Sequence, residues 1–149
     1  MASANALLKS VFGFDAFRPG QEEIVRAVAN GESVLAIMPT GGGKSLCYQL
    51  PALMGEGLTL VISPLIALMR DQVAALKQAG VAAGALTSAA SEDENQAVID
   101  AARAGELSLL YLAPERLSST VTRNILRDAG VARIAVDEAH CVSQWGHDF

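Results

Sequence analysis

Two stretches of this chain carry residue types at spacings that can do chemistry. The first is Met38-Pro39-Thr40-Gly41-Gly42-Gly43-Lys44-Ser45. Glycines let a backbone turn tightly and bring its N–H groups against an anion. A helix starting at Lys44 would aim its positive dipole end at that anion. In a phosphate-binding loop the lysine reaches the β- and γ-phosphates and the hydroxyl of Ser45 holds Mg²⁺. The strict pattern has glycine where this chain has Met38; its three glycines sit closer to the lysine. The second stretch is Asp137-Glu138-Ala139-His140. A carboxylate at a strand end can hold Mg²⁺ directly or through water, which is the role assigned to Asp137. Glu138 can orient or deprotonate an attacking water. His140 can link the nucleotide site to another part of the molecule.

These groups need elements to position them. Val34-Leu35-Ala36-Ile37 reads as a buried strand into the glycine loop, and Leu46-Cys47-Tyr48-Gln49-Leu50 as the helix after it, ended or bent by Pro51. Ahead of them, a short helix over 4–12 stops at Gly13, and a second begins with Pro19 in its first turn and ends at Asn30-Gly31. Leu58–Ile62 is a continuous apolar run and reads as a buried strand. Pro64 opens a helix to about Ala79 with Leu65, Leu68, Val73 and Leu76 inward, closed by Gly80. Ala83–Thr87 is a weak strand. Ser91 with Glu94 forms a capping box for a helix to about Ala104. Leu107–Leu112 is a fourth strand, one or two short helices cover 114–128, and Arg133–Val136 is a fifth strand ending at Asp137. Alternating strands and helices predict an α/β fold with a mostly parallel sheet and helices on both faces. Ligands of such sheets bind beyond the C-terminal strand ends.

The bulk properties bound the class. A chain of 149 residues, 51% hydrophobic and 5% aromatic, is a single domain with a real core. No apolar run has the length of a membrane span, and the N-terminus lacks the flank and core of a signal peptide. Cys47 and Cys141 form neither a metal cluster nor a disulfide framework, so a cytoplasmic, reduced protein is expected. The net charge of −5 argues mildly against nonspecific nucleic-acid binding, although the acids cluster at Glu92-Asp93-Glu94.

Other residues carry weaker signals. The Gln21 amide matches the adenine edge, Arg18 can stack or meet phosphate, and Phe14 can stack; taken alone, Phe14 reads better as core and Gln21 as helix surface. Ser63-Pro64-Leu65 and Ala113-Pro114-Glu115-Arg116 each follow an apolar strand and open a helix. They fit helix capping as well as phosphate contact, with Arg70 or Arg116 adding charge. Ser143-Gln144-Trp145-Gly146-His147-Asp148-Phe149 reads as an exposed loop, whose Trp145 and Phe149 can stack on unpaired bases.

Asp137-Glu138-Ala139-His140 behind a phosphate loop resembles the DEAD/DEAH class of nucleic-acid helicases. The finer resemblance is to the RecQ family of DNA helicases. It is carried by Phe17–Gln21, Met38–Gln49, Ser63–Leu65 with Met69–Gln72, Tyr111–Leu117 and Asp137–Phe149, in order along nearly the whole chain. Met38 in place of glycine is normal for that resemblance.

The resemblance implies a RecA-like P-loop fold, with residues 1–149 the N-terminal part of the first, ATP-binding lobe, truncated in the loop at Phe149. It implies ATP and Mg²⁺ as cofactors and single-stranded or forked DNA as partner, in a 3′-to-5′ helicase of bacterial, nucleoid-associated type with no membrane. Gln21 would read adenine, with Arg18 and Phe14 beside it. Ser63, Pro64, Leu65, Arg70, Pro114 and Arg116 would line the DNA track, and Trp145, His147 and Phe149 would couple DNA to hydrolysis. A second RecA-like lobe would supply the arginine finger, so the chain alone would bind nucleotide, hydrolyse it slowly and unwind nothing. An RNA helicase of the DEAD/DEAH class and a non-catalytic nucleotide-binding module are the alternatives.

Overall fold

In the computed structural model, residues 3–32 and 44–137 are described. They fall in two units, Met1–Glu56 and Gly57–Phe149. Among the described residues, no helix is long and apolar enough to cross a membrane.

The first unit holds three helices, α1 (Ala4–Ser10), α2 (Gln21–Ala29) and α3 (Leu46–Met54). The Ser3 hydroxyl caps α1 by accepting from the Ala6 N–H at 3.2 Å. Pro19 lies ahead of α2, not in its first turn, because Gly20 takes a left-handed φ of +85° and acts as N-cap. The helix stops at Asn30, with Gly31 also left-handed, as the Asn-Gly pair predicts. Pro51 neither ends nor closes α3, which runs on to Met54. A mid-helix proline costs about 3 kcal/mol. Here burial of Leu50, Pro51 and Ala52 around it offsets the loss. Ala4, Leu8, Val25, Leu46 and Leu50 form the core, joined by Leu7, Phe12, Phe17 and Met54.

The second unit is a four-stranded parallel sheet: β1 (Leu58–Ile62), β2 (Ala83–Leu86), β3 (Leu109–Leu112) and β4 (Val131–Val136), in the order β2-β3-β1-β4. Every residue of β1 and β3 is buried, as their unbroken apolar runs require of strands covered on both faces. Three helices connect the strands: α4 (Ile66–Gln78), α5 (Glu92–Arg103) and, after a 3-10 turn over Pro114–Ser118, α6 (Thr120–Ala129). From β1 the chain passes over β3 to reach β2; it then returns to β3 and passes over β1 to β4. Right-handed crossovers running in opposite directions place their helices on opposite faces. So α4 covers one face, and α5, the 3-10 turn and α6 cover the other. On that second face Leu58, Leu60, Ile62, Leu86, Leu110 and Leu112 meet Val98, Ile99, Leu117, Leu126 and Ala129.

Local signals explain most boundaries. The Ser91 hydroxyl accepts from the Glu94 N–H at 3.1 Å, the expected cap of α5. Ser119 caps α6, which ends on left-handed Gly130. In α4, Met69, Val73 and Leu76 are buried, whereas Leu65 and Leu68, expected inward, are 45% and 37% exposed. The helix starts two residues later than Pro64 suggested, so Leu65 is its N-cap and its inward stripe runs through 69, 73 and 76. The strand expected at Val34–Ile37 lies outside the described residues.

One contact constrains the start of the sheet. Gly57 has φ +88°, and a Cβ there would lie 2.7 Å from the Cβ of Ala132. Gly130 has a similar φ of +75° but open space around it. Gly57→Ala is therefore expected to destabilise the fold by roughly 1–3 kcal/mol, and by more than Gly130→Ala, whose only penalty is the backbone. Urea midpoints of the two variants check the difference; equal midpoints would show that the contact with Ala132 relaxes freely.

Candidate functional site

The sheet brings several chemistry-bearing residues to its C-terminal edge. In order across the sheet they are Asp137 after β4, Ser63 after β1, Ala113-Pro114 after β3 and Thr87 after β2. Neighbouring strands β1 and β3 send the chain to opposite faces, and that reversal opens a crevice beyond their ends, the usual ligand position in such sheets. Ser63 and Pro114 flank it.

Asp137 is held at the rim by its backbone. Its N–H donates to the Ile62 carbonyl at 2.9 Å, one step past the last regular pair, and the residue is buried. The Ser63 N–H donates to the Leu112 carbonyl at 3.1 Å. The Ser63 hydroxyl accepts from the Leu65 N–H at 3.3 Å. Both amides expected to meet phosphate in that turn are thus engaged inside the chain. What the turn offers outward is the Leu65 side chain and, further along α4, the exposed Arg70. Pro114 is buried and starts the 3-10 turn, while Arg116 is half-exposed with its N–H on the Ala113 carbonyl. Of the six track residues in this unit, Leu65, Arg70 and Arg116 can meet a ligand directly through their side chains. Ser63 and Pro114 shape the turns, and Pro64 is half-buried. At Thr87 the side-chain amide of Asn95 clamps the backbone, donating to its carbonyl at 3.0 Å and accepting from its N–H at 3.4 Å. The acids Glu92, Asp93 and Glu94 in the next turn make that end unfavourable for an anion.

The first unit carries the remaining described candidates. Lys44 and Ser45 stand immediately before α3, half-buried, and their carbonyls accept from Cys47 and Gln49 at 3.0 Å. Helical geometry already begins at Ser45. Gln21 is 2% exposed, so it is not the surface residue its position suggests. Its Oε1 accepts from the Arg18 N–H at 2.7 Å, and its own N–H donates to the Arg18 carbonyl at 3.1 Å. This reciprocal pair fixes the turn entering α2 and leaves the Arg18 side chain in solvent beside an open groove lined by Phe17, Glu22, Glu23 and Arg26. Phe14 is 51% exposed and thus available for stacking rather than a core residue. Met38–Gly43, Glu138, His140, Trp145, His147 and Phe149 lie outside the described residues.

Two features are not evident from residue order. One is the Asn95 clamp. The other is Arg133, whose Nε donates to the Thr59 hydroxyl at 3.0 Å across the β1–β4 pair. Burial lowers the pKa of this guanidinium below its ordinary value. The signal was present, a single charge inside the apolar strand Val131-Ala132-Arg133-Ile134-Ala135-Val136. Among the described residues no group of three or more His, Cys, Asp or Glu is placed to hold a metal. The Ser45 hydroxyl in the first unit and the Asp137 carboxylate in the second are each oxygen donors of the kind a hard Mg²⁺ ion takes.

The fold and the residues at its strand ends define a RecA-like α/β nucleotide-binding class. Residues 18–149 match the DEAD/DEAH box helicase family, and the chain belongs to it. Its curated relatives sharpen this to the RecQ branch. The chain is 50% identical over 147 residues to the ATP-dependent DNA helicase RecQ of Haemophilus influenzae, covering 99% of this chain and 24% of that protein. It is 50% identical to RecQ of Bacillus subtilis, covering 98% of this chain and 25% of the relative. The chain thus spans about a quarter of the length of these relatives. Among solved structures it resembles helicase Lhr of Mycobacterium smegmatis bound to ssDNA and AMP-PNP, with a TM-score of 0.69, 26% identity, and coverage of 92% of this chain and 20% of that one.

Cys47 offers a direct check on the helix after Lys44-Ser45. The thiol is buried, and burial raises its pKa from 9.0. The unfolded thiol then ionises first. Its contribution to stability is complete below pH 9.0 and is lost as the pH rises through the higher folded value. Alkylation of Cys47 near pH 8 is expected to be at least about tenfold slower in the folded protein than in urea. Mass mapping keeps it separate from Cys141. Equal rates would place the thiol in solvent.

Proposed function

We propose that residues 1–149 are the N-terminal part of the ATP-binding lobe of a RecQ-type, ATP-dependent DNA helicase that moves 3′ to 5′ on single-stranded or forked DNA, with a second RecA-like lobe in the whole protein. Lys44 holds the β- and γ-phosphates, and Ser45 and Asp137 hold Mg²⁺. Glu138 prepares the attacking water, and His140 transmits the state of the nucleotide. Arg18, Gln21 and Phe14 serve the adenine, and the loop Met38–Gly43 wraps the phosphates. Leu65, Arg70 and Arg116 face DNA from turns shaped by Ser63, Pro64 and Pro114, and Trp145, His147 and Phe149 stack on or couple to unpaired bases. The reaction takes place on cytoplasmic, nucleoid DNA.

The observation that carries this reading is Asp137. It stands buried at the end of β4 with its amide on Ile62, beside the crevice between β1 and β3, in a chain whose Lys44-Ser45 opens a helix. A solvated surface turn, the bland alternative for an acidic pair after a strand, would not be buried. The names of the relatives support DNA as the polymer.

Titration of a fluorescent ATP analogue in Mg²⁺ tests the core. Lys44→Ala is expected to weaken binding at least about tenfold, the loss of one charge-assisted phosphate contact. Asp137→Asn is expected to remove most of the gain that Mg²⁺ gives. Unchanged affinity in the lysine variant would reject the phosphate site. In the full-length protein, ATP turnover should respond to single-stranded DNA more than to RNA; the reverse would favour an RNA helicase.

A further inference from the structure

β4 enters the sheet out of step. Leu58 pairs with Val131, but the next residue, Thr59, pairs with Arg133, so Ala132 is an extra residue in the strand. Such bulges are rare between parallel strands and re-aim the side chains beyond them. Gly57 lies against the extra residue, where any Cβ would collide with Ala132. Immediately past the bulge Arg133 bonds to the buried Thr59 hydroxyl. The register then runs Leu60 with Ile134, Val61 with Ala135 and Ile62 with Val136, and the Asp137 amide meets the Ile62 carbonyl.

The alternative register shows what the bulge does. Without the extra residue, Thr59 would face Ala132 and Leu60 would face Arg133. A slip of one residue sends every side chain of the strand to the other face. Arg133 would then stand opposite Leu60, where Ile134 is now 65% exposed, and would lose the Thr59 hydroxyl. Asp137 would go to that face with it. In the bulged register, alternation puts Arg133, Ala135 and Asp137 on the face of Thr59 and Val61.

We propose that Arg133 is a positioning residue: with the Gly57–Ala132 bulge and its bond to Thr59, it fixes the register of β4 and so the face on which Asp137 offers its carboxylate to nucleotide-bound Mg²⁺. The inference rests on the proposed role of Asp137. Arg133 acts in two ways. It is favoured where its Nε finds the Thr59 hydroxyl, and the slipped register takes that partner away; the glycine admits the bulge that keeps the two together.

The Mg²⁺ dependence of ATP turnover in the full-length protein tests this, together with amide exchange at Asp137. Arg133→Leu removes the bond to Thr59 that favours the bulged register. It is expected to raise the Mg²⁺ midpoint about tenfold or more, the range seen when groups that orient a metal ligand are lost, and to reduce protection of the Asp137 amide. Nucleotide affinity without Mg²⁺ should be unchanged. Arg133→Lys keeps a donor for the Thr59 hydroxyl and is expected to restore the midpoint. A merely structural side chain would lower the melting temperature and leave the Mg²⁺ midpoint where it was. A folded Arg133→Leu protein with wild-type midpoint and protection overturns the proposal. Should that variant fail to fold, Thr59→Val removes only the acceptor and should move the midpoint in the same direction; no movement overturns it equally. Asp137→Asn separates the two readings. If it shifts the midpoint and Arg133→Leu does not, the register proposal alone fails; if Asp137→Asn shifts nothing, both fail.

Discussion

The amide of Asp137 reaches the Ile62 carbonyl, and the amide of Ser63 reaches the Leu112 carbonyl. These two bonds continue the parallel ladder one step beyond the regular strands. Everything at the rim of the second unit depends on that continuation. The ladder is rigid because β1 and β3 at its centre are buried on both faces along their whole length. A buried amide cannot be left unpaired without penalty, so the chain leaves the sheet only after each strand-end donor has an acceptor. The acidic residue is consequently fixed by the backbone before its side chain takes any part in binding.

The same requirement limits what the strand-end turns can do. Turns of this kind are attractive as anion sites because their amides point outward from a helix start. Here the Ser63 donor is satisfied across the ladder by Leu112, the Leu65 donor within the turn by the Ser63 hydroxyl, and the Arg116 amide lies on Ala113. In the proposed DNA track, contact would fall to side chains, Arg70 and Arg116 for charge and Leu65 for apolar surface. Arg70 and Arg116 are single positive groups in a chain of net charge −5.

Much of this could be read from residue order. The apolar run Leu58–Ile62 matches β1 residue for residue, Ser91 and Glu94 announce α5, and Asn30-Gly31 marks the end of α2, because each rests on a local rule. The failures are nonlocal. Leu65 and Leu68 have the right spacing for an inward face, but the sheet turns α4 so that Met69, Val73 and Leu76 fill it. Pro51 should stop a helix in isolation and does not when its neighbours are buried. Gln21 reads as helix surface until the Arg18 turn folds over it. Lys44-Ser45 ahead of a helix and Asp137 at a strand end stand where residue order puts them. The register that aims Asp137 was not legible, since nothing in Val131–Val136 marks Ala132 as an extra residue.

That last point is explained by where β4 sits. It is the edge of the described sheet, joined to one neighbour only, and its outer residues Ile134 and Val136 are 65% and 45% exposed. Central strands have their register fixed twice, by two ladders and two packed faces. Among the described strands β4 has one such ladder, and its apolar pattern distinguishes the two faces weakly where Ile134 and Val136 are exposed. Val131-Ala132-Arg133-Ile134-Ala135-Val136 would tolerate either face for its small and branched residues. Arg133 is the one charged member, and on the Thr59 face its Nε meets the threonine hydroxyl. A glycine that admits the bulge and a bond from Arg133 to Thr59 thus mark the register locally, at the first residues of the strand.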